Sequence, residues 1–202
     1  MRIGPKYKIA RRLGAPIFEK TQTAKYTLSL ARKEKNARRG RRKPKSEFGA
    51  ELMEKQKARF SYGISEKQLK NYVIKALHSA SPAQALFSLL ERRLDNSIFR
   101  SGLAKTRAQA RQAASHGHVL VNGLRVTVPS IILKGGDVIS LRSGSADSPL
   151  FADVAERMKT LTVPAWVEVD PTSRSATVKD EPVYNIQEHV FDLGTVIEFY
   201  NR

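Results

Sequence analysis

The sequence predicts an α+β protein: a helical first domain with a basic N-terminal arm, and a small module in which a helix pair packs on a short β-sheet. Two observations predict this fold class. After the arm, capped helical segments fill the chain as far as residue 117, and apolar residues recur there at helical spacing. The apolar spacing then changes to that of strands. The 202 residues, of which 41% are hydrophobic, suffice for one or two modest cores.

The charge of the chain is strongly positive and unevenly distributed. Lys and Arg number 36 against 19 Asp and Glu, a formal net charge of +17. Residues 1–60 carry 19 basic and 5 acidic side chains, whereas residues 143–202 carry 5 basic and 10 acidic ones. This asymmetry is typical of proteins that bind nucleic acid, and it leaves an acidic end that faces either solvent or a basic protein neighbour.

The composition does not support a membrane protein, a disulfide-stabilised protein or a protein with a metal-thiolate site. No apolar run approaches the roughly 20 residues that a spanning helix needs, and the start has no apolar segment of the secretory type. We therefore expect no membrane partner. The chain has no cysteine, which rules out disulfides and thiolate metal sites. We expect a cytoplasmic protein, and the Arg-rich start leaves an organellar form open.

Residues 1–45 are predicted to form a basic arm. Their apolar residues come singly or in small groups, and the densest charge run is residues 38–45. Gly40 and Pro44 prevent a regular helix in this run, and repulsion among its cations keeps it extended until a polyanion neutralises it. A disordered solubilising tail or a nuclear-localisation patch is the open alternative for such a run.

Residues 46–82 are predicted to form the helical domain. Residues 47–60 are compatible with a helix, and a capping box at Ser65 to Gln68 starts another. Behind that box Leu69, Val73 and Ala76 recur at helical spacing and should pack, while a second face is polar and basic.

Residues 83–142 are predicted to form the small module. A second capping box, Ser81 to Gln84, precedes a helix whose buried face should include Leu86, Leu90 and Leu94, and which closes at Gly102. Thr106 then caps a third helix that ends at Gly117. Strand-like runs follow: residues 119–121 and 126–128 around an Asn-Gly turn, with Val121 in the core, then residues 131–133 and 138–141. Residues 143–174 extend the module with a helix at 149–161 and a strand at 166–170 that pairs with residues 175–178.

Several segments of the chain resemble one family. The segments LLERRLDN (89–96), RSGLAKTRAQARQ (100–112) and GHVLVNG (117–123) look like the RNA-binding domain of the S-four family of small-subunit ribosomal proteins. Residues 4–6, 11–14, 43–45, 54–57 and 197–200 resemble the same family, in order, so that most of the chain is covered. The module alone also occurs on RNA-modifying enzymes and on a tyrosyl-transfer-RNA synthetase, so the arm and the tail are what make the resemblance specific.

The resemblance implies a fold and a function. It implies that the small module is inserted as a second domain and that residues 175–202 complete the first. It also implies a structural constituent of the small ribosomal subunit, which would bind small-subunit ribosomal RNA and nucleate assembly of the subunit body. By the same resemblance we expect a basic surface near the entrance of the messenger-RNA channel that contributes to translational accuracy. Messenger RNA at that entrance and neighbouring small-subunit ribosomal proteins are the further partners expected. We expect no homo-oligomer. The alternative is a free RNA-binding regulator such as a translational autorepressor.

Three departures from the family stand out. Many relatives carry four zinc-binding cysteines in the arm, and this chain has none. Residues 36–40 and 192–195 also differ from the family's pattern. No nucleophile elbow, phosphate loop or His-Glu-x-x-His motif is present, so we expect no enzyme activity and no cofactor.

The expected RNA-binding residues form four groups. The first group is Thr106, Arg107 and Arg111. The two arginines, four residues apart, should project together from one helix face, although an exposed helix face carries such pairs without function too. The remaining residues of the module are Arg92, Arg93, Asn96, Arg100, His116, His118 and Asn122. The arm contributes Lys6, Lys8, Arg11, Arg12, Arg41, Arg42, Lys43 and Lys45, and the helical domain contributes Lys55, Lys57, Lys67 and Asn71. We expect Asp95 to bond within the module, and the His-x-His pair lacks a third ligand for a metal.

Overall fold

The computed structural model describes residues 3–36, 46–146 and 148–201, and the chain divides into two units. The first comprises Met1–Ala83 and Asn185–Arg202, and the second is Gln84–Tyr184. Helices and a small antiparallel sheet are both present, which confirms the α+β class. None of the helices in the described ranges has the length and apolar character that a membrane crossing needs.

The first unit is helical. Its elements are α1 (Lys6–Leu13), α2 (Ala24–Asn36), α3 (Glu47–Tyr62), α4 (Glu66–Ala76) and α10 (Leu193–Asn201), with 3₁₀ turns at Glu19–Gln22 and Ile186–Glu188. Ser46 caps α3 by accepting the Gly49 N–H. The predicted capping box at Ser65 is confirmed, because the side chains and backbone of Ser65 and Gln68 bond reciprocally.

The prediction of an arm is wrong for residues 3–36, which are folded. Ala10, Phe18 and Tyr26 form a small buried cluster against which Phe60 of α3 packs. The rings of Phe18 and Phe60 meet edge to face with centroids 6.3 Å apart. The apolar residues of this segment are few, but Ala10, Leu13, Phe18 and Tyr26 are buried, so sparse periodicity did not mean an unfolded chain. Arg41, Arg42, Lys43 and Lys45 lie outside the described residues.

The end of the chain packs on α3 and α4. The Tyr200 hydroxyl donates to Glu66 Oε1 at 2.6 Å, and the Asp192 N–H donates to Glu54 Oε2 at 3.1 Å. Asp192 also accepts bonds from the Gly194 N–H and the Thr195 hydroxyl, so that the unusual segment 192–195 starts α10.

The second unit combines helices with the sheet. Its helices are α5 (Pro82–Glu91), α6 (Leu94–Arg100), α7 (Arg107–Ser115), α8 (Ser143–Ala146) and α9 (Val154–Thr160), with a 3₁₀ turn at Pro149–Phe151. Its strands are β1 (Val119–Val121), β2 (Leu124–Arg125), β3 (Val138–Leu141), β4 (Val167–Asp170) and β5 (Ser175–Val178). They lie in the order β2-β1-β3-β5-β4, and neighbouring strands are antiparallel.

The Asn-Gly hairpin is confirmed, with a shift of its second strand. Asn122 and Gly123 both have positive φ, 50° and 78°, which suits a two-residue hairpin loop. The returning strand β2 starts directly after the turn and pairs Leu120 with Arg125, whereas residues 126–128 form no strand.

Residues 175–178 belong to the second unit and not to the first. Strand β5 pairs with both β3 and β4, placing Ala176 opposite Ile139 and Val169. Its Ala176 and Val178 are buried in the core of the second unit, so the chain returns to the first unit at Asn185 and not at residue 175.

The helix predicted for residues 83–102 is broken in two. Arg93 forms a β-bridge with Ile132, which separates α5 from α6. The predicted capping box at Ser81 does not form, because the Gln84 amide bonds Pro182 O at 2.7 Å and the Tyr184 N–H at 2.7 Å. The predicted core side chains Leu86, Leu90 and Leu94 are fully buried, and Val121 packs partly buried against the core.

Candidate nucleic-acid interface

The start of α7 is built as predicted. Thr106 Oγ1 accepts the Gln109 N–H at 3.1 Å, and Gln109 Oε1 accepts the Lys105 N–H at 2.8 Å. Arg107 is therefore the first residue of the helix, and Arg111 follows one turn later on the same side. The structure brings these two arginines to the seam between α6 and α7.

Arg111 is held by a buried carboxylate. Its Nε and Nη2 donate to Asp95 Oδ2 at 2.8 and 2.6 Å. Arg93 donates to the same carboxylate through Nε at 3.0 Å and Nη2 at 2.9 Å. Arg93 is only 2% exposed. The expectation that it binds RNA is therefore corrected, because its guanidinium pairs with Asp95 inside the unit. The expectation that Asp95 bonds within the module is confirmed.

Arg107 is held by a second buried group. Its Nε donates to Asn96 Oδ1 at 2.7 Å, and its guanidinium lies 4.5 Å from the centroid of the Phe99 ring. Asn96 is 2% exposed and donates in turn to Glu91 Oε2 at 3.0 Å. The expectation that Asn96 contacts RNA is therefore corrected, because its side chain is internal. Arg100 donates to the same Glu91 at 2.7 and 3.0 Å.

These bonds fix the arginines without burying them. The side chains of Arg100 and Arg111 are each 27% exposed, although the carboxylates that hold them are buried. A guanidinium carries five N–H donors in a rigid fork, so it can meet a carboxylate on one edge and a phosphate on another. Arg92 is not held by a buried carboxylate. It donates to Leu133 O at 2.7 Å and to Oε1 of the exposed Glu181 at 2.9 Å.

The two histidines stand beside further cations. His118 Nδ1 lies 2.9 Å from Ser145 Oγ, and the His116 and His118 ring centroids are 5.9 Å apart. Burial, followed by the positive charges of His116, Arg142 and Arg125, lowers the pKa of His118. Every charge that moves this pKa is positive, which marks the surroundings of His118 as an environment suited to an anion.

Asn122 is exposed but shapes the hairpin. Its Nδ2 donates to Asp137 Oδ1 at 2.8 Å, and its Oδ1 accepts the Val138 N–H at 2.8 Å. Both ends of the amide therefore serve the turn, and Asn122 acts first as a structural residue there.

Arg125 and Arg142 were missed by the sequence analysis. The Arg125 guanidinium lies against Gly117 and donates to His116 O at 3.3 Å. Arg142 directly follows β3 and donates its backbone N–H to His118 O at 2.9 Å. Arg125 could have been found from its position two residues after the Asn-Gly turn, whereas the place of Arg142 depends on the pairing of β3 with β1.

The predicted residues of α3 and α4 have different surroundings. Lys55 is 6% exposed, donates to Glu66 Oε1 at 2.7 Å and lies 4.4 Å from the Phe199 ring centroid, so its expected contact with RNA is corrected to a structural role. Lys57 pairs with Glu54 at 2.6 Å, within α3. Lys67 and Asn71 are exposed on α4.

The predicted residues of α1 are on or near the surface. Lys8 and Arg12 are exposed, one turn apart, whereas Lys6 and Arg11 are half-buried. Lys6 Nζ lies 5.5 Å from the Phe18 ring centroid. In the part of the chain that the structure describes, no group of three or more His, Cys, Asp or Glu residues could hold a metal ion.

Comparisons with known proteins identify the family of the chain. The family described as the S4 domain matches residues 92–139, and the ribosomal protein S4/S9 N-terminal domain matches residues 1–91. The small ribosomal subunit protein uS4 of Aquifex aeolicus is 40% identical over an alignment of 210 residues, which covers 99% of this chain and 98% of the relative. That of Methylobacillus flagellatus is 40% identical over 201 residues, covering 98% and 96%. That of Pelotomaculum thermopropionicum is 43% identical over 167 residues, covering 80% and 78%. The chain belongs to the uS4 family of small ribosomal subunit proteins.

Proposed function

We propose that this structural protein of the small ribosomal subunit binds the subunit's ribosomal RNA directly and early, and so nucleates assembly of the subunit body. One observation carries the proposal: Arg107 and Arg111 are anchored to buried acceptors while Arg111 stays partly exposed. The family is one of structural ribosomal proteins and not of enzymes.

Pre-positioned arginines suit the phosphates of folded RNA. An arginine that is already held in place loses less side-chain entropy when it binds a phosphate than a mobile one does. Double-helical RNA offers mainly phosphates and 2′-hydroxyls in a fixed shape, so affinity comes from many phosphate contacts and selectivity from the fit. His116, His118, Arg125 and Arg142 extend the same surface toward the hairpin.

The basic run at residues 38–45 and the acidic end add two further partners. Arg41, Arg42, Lys43 and Lys45 grip messenger RNA at the entrance of its channel and thereby contribute to translational accuracy. Their charge density and the family resemblance support this role. Residues 143–202, with 10 acidic and 5 basic side chains, meet a basic neighbouring protein of the subunit. The site of action is the ribosome of the cytoplasm.

The variant Arg107→Ala with Arg111→Ala tests the RNA surface. Its affinity for a small-subunit ribosomal RNA fragment is measured at several salt concentrations. We expect the slope of log affinity against log salt to fall by roughly 1.4–1.8, because two phosphate contacts are lost. The control variant Lys159→Ala with Lys179→Ala removes the same charge from exposed positions elsewhere in the second unit. Equal losses in the two variants would refute the assignment.

Sedimentation of cell extracts separates ribosomal from free protein. We expect the protein to co-sediment with small subunits and with their early assembly intermediates. Recovery in free fractions alone would favour the alternative of an RNA-binding regulator.

A further inference from the structure

A pocket of about 560 Å³ lies between α1 and α3 in the first unit. This volume falls within the range of roughly 300–1,000 Å³ that is typical of small-molecule sites in proteins. Its apolar wall includes Leu13, Leu52, Met53 and Phe60. None of the RNA contacts proposed above for the second unit involves this pocket.

One corner of the pocket is polar and fixed. Arg59 Nε donates to Gln56 Oε1 at 2.9 Å, and the Arg59 guanidinium lies 4.4 Å from the centroid of the Phe60 ring. Because the Gln56 oxygen accepts that bond, the NH₂ group of Gln56 is turned away from Arg59 and can donate to a ligand. The corner therefore joins a planar stacking surface to a hydrogen-bond donor.

The rim of the pocket is positively charged. Arg12 lines it, is exposed, and forms no hydrogen bond or ion pair with the described residues. Lys8 is exposed one turn earlier on α1. A ligand with an anionic group at the rim would meet these cations directly.

We infer that this pocket receives one unstacked nucleotide of RNA, with its base against the Arg59–Phe60 surface and its phosphate on Arg12. Bases that leave the RNA stack are bound by aromatic rings and guanidinium planes together with hydrogen bonds to their edges. An apolar protein segment fits less well, because it would leave buried donors of Gln56 without acceptors. The inference rests on the proposed function in one respect, that RNA is the source of the nucleotide.

Methionine methyl NMR can test the pocket directly on the full chain. Of the three methionines, Met53 lines the pocket, while Met158 is buried in the core of the second unit and serves as an internal control. The four nucleoside 5′-monophosphates are titrated into protein labelled at its methionine methyl groups. We expect the Met53 resonance to shift and saturate, and the Met158 resonance to stay in place.

Two substitutions define the ligand class. Arg12→Gln should raise the dissociation constant of the monophosphate about tenfold, because one charge-assisted contact is lost. The control Lys20→Gln removes a charge from an exposed position of the same unit outside the pocket and should have no such effect. Leu52→Trp fills the pocket without changing the charge and should abolish the Met53 response, while an unchanged helix circular dichroism spectrum shows that the helical first unit stays folded.

The outcomes distinguish this inference from the proposed function. An unresponsive Met53, or a response that is the same for nucleosides without phosphate, overturns the inference. Equal affinities for Arg12→Gln and Lys20→Gln overturn it as well. If the ribosomal RNA fragment still binds in those cases, the proposed function stands alone. If the Met53 response appears while the RNA fragment fails to bind, the proposed function fails and the pocket remains a nucleotide site.

Discussion

Replacing Asp95 should destabilise the second unit far more than replacing either arginine that it binds. Asp95 accepts two hydrogen bonds from Arg93 and two from Arg111. In Asp95→Ala, Arg93 remains 2% exposed and loses the carboxylate that accepts two of its N–H groups. Removing one partner of a buried ion pair costs about 3–5 kcal/mol, and we expect the free energy of unfolding to fall by that amount.

Arg111→Ala provides the comparison. Its side chain is 27% exposed, and Asp95 keeps both bonds from Arg93 after the substitution. The expected loss is about 1 kcal/mol, the size of a partly exposed charged hydrogen bond. Among variants that fold, we expect Arg111→Ala to lose more RNA affinity than Asp95→Ala, because Arg111 is proposed to touch phosphate and Asp95 is not.

The single tryptophan supplies the assay. Trp166 is 6% exposed in the core of the second unit, so its fluorescence during urea denaturation follows that unit specifically. Glu168→Ala, which removes an exposed ion pair with Lys179, should leave the midpoint nearly unchanged. If Asp95→Ala costs no more than Arg111→Ala, the buried position of the Arg93–Asp95 pair is refuted.

Three further predictions concern protonation and backbone. Burial alone would raise the pKa of Glu66, but the hydrogen bonds that it accepts lower it below the ordinary 4.5, so its stabilisation is complete above that value and is lost as pH falls through the lowered pKa. Helix circular dichroism at falling pH should show this loss for the first unit, and Glu66→Gln should lack it. The NMR titration midpoint of His118 should lie below 6.5, and Arg125→Gln should raise it by removing a nearby cation; an unchanged midpoint would contradict their proximity. Gly117→Ala, at φ 73° and against the Arg125 guanidinium, should cost about 1 kcal/mol in urea denaturation, and no cost would argue against the left-handed backbone there.

Local chemistry made several elements predictable. The Ser65 capping box, the Thr106 cap and the Asn122-Gly123 turn each depend on hydrogen bonds or backbone angles within four residues, and the structure has all three. The capping box predicted at Ser81 does not form, because its glutamine has partners that are distant in the sequence. Its Gln84 amide bonds the backbone near residue 184, a partner that no local pattern reveals.

Exposure of the basic residues was not predictable from their positions in the sequence. Lys55 and Lys67 have the same charge and both lie on helices, yet Lys55 is buried against Phe199 of the last helix while Lys67 is exposed. Arg93 and Arg111 differ in the same way: Arg93, whose backbone forms a β-bridge with Ile132, is buried, whereas Arg111 is partly exposed. Residue type indicates the charge, and only the tertiary partners decide which charge can reach RNA.

The buried carboxylates beneath α7 make more sense as positioning groups than as sources of stability. Taking charges out of water costs free energy that their mutual attraction often fails to recover, so a well-packed apolar cluster could hold α6 against α7 equally well. An apolar cluster could not fix the direction of a guanidinium. Asp95 accepts two N–H groups of Arg111, and Asn96 accepts one from Arg107, so each fork is oriented before any ligand arrives. A lysine at either position would keep the charge but lose the planar fork. The buried acceptors of the module therefore orient the N–H donors at its surface, as binding to a rigid phosphate backbone requires.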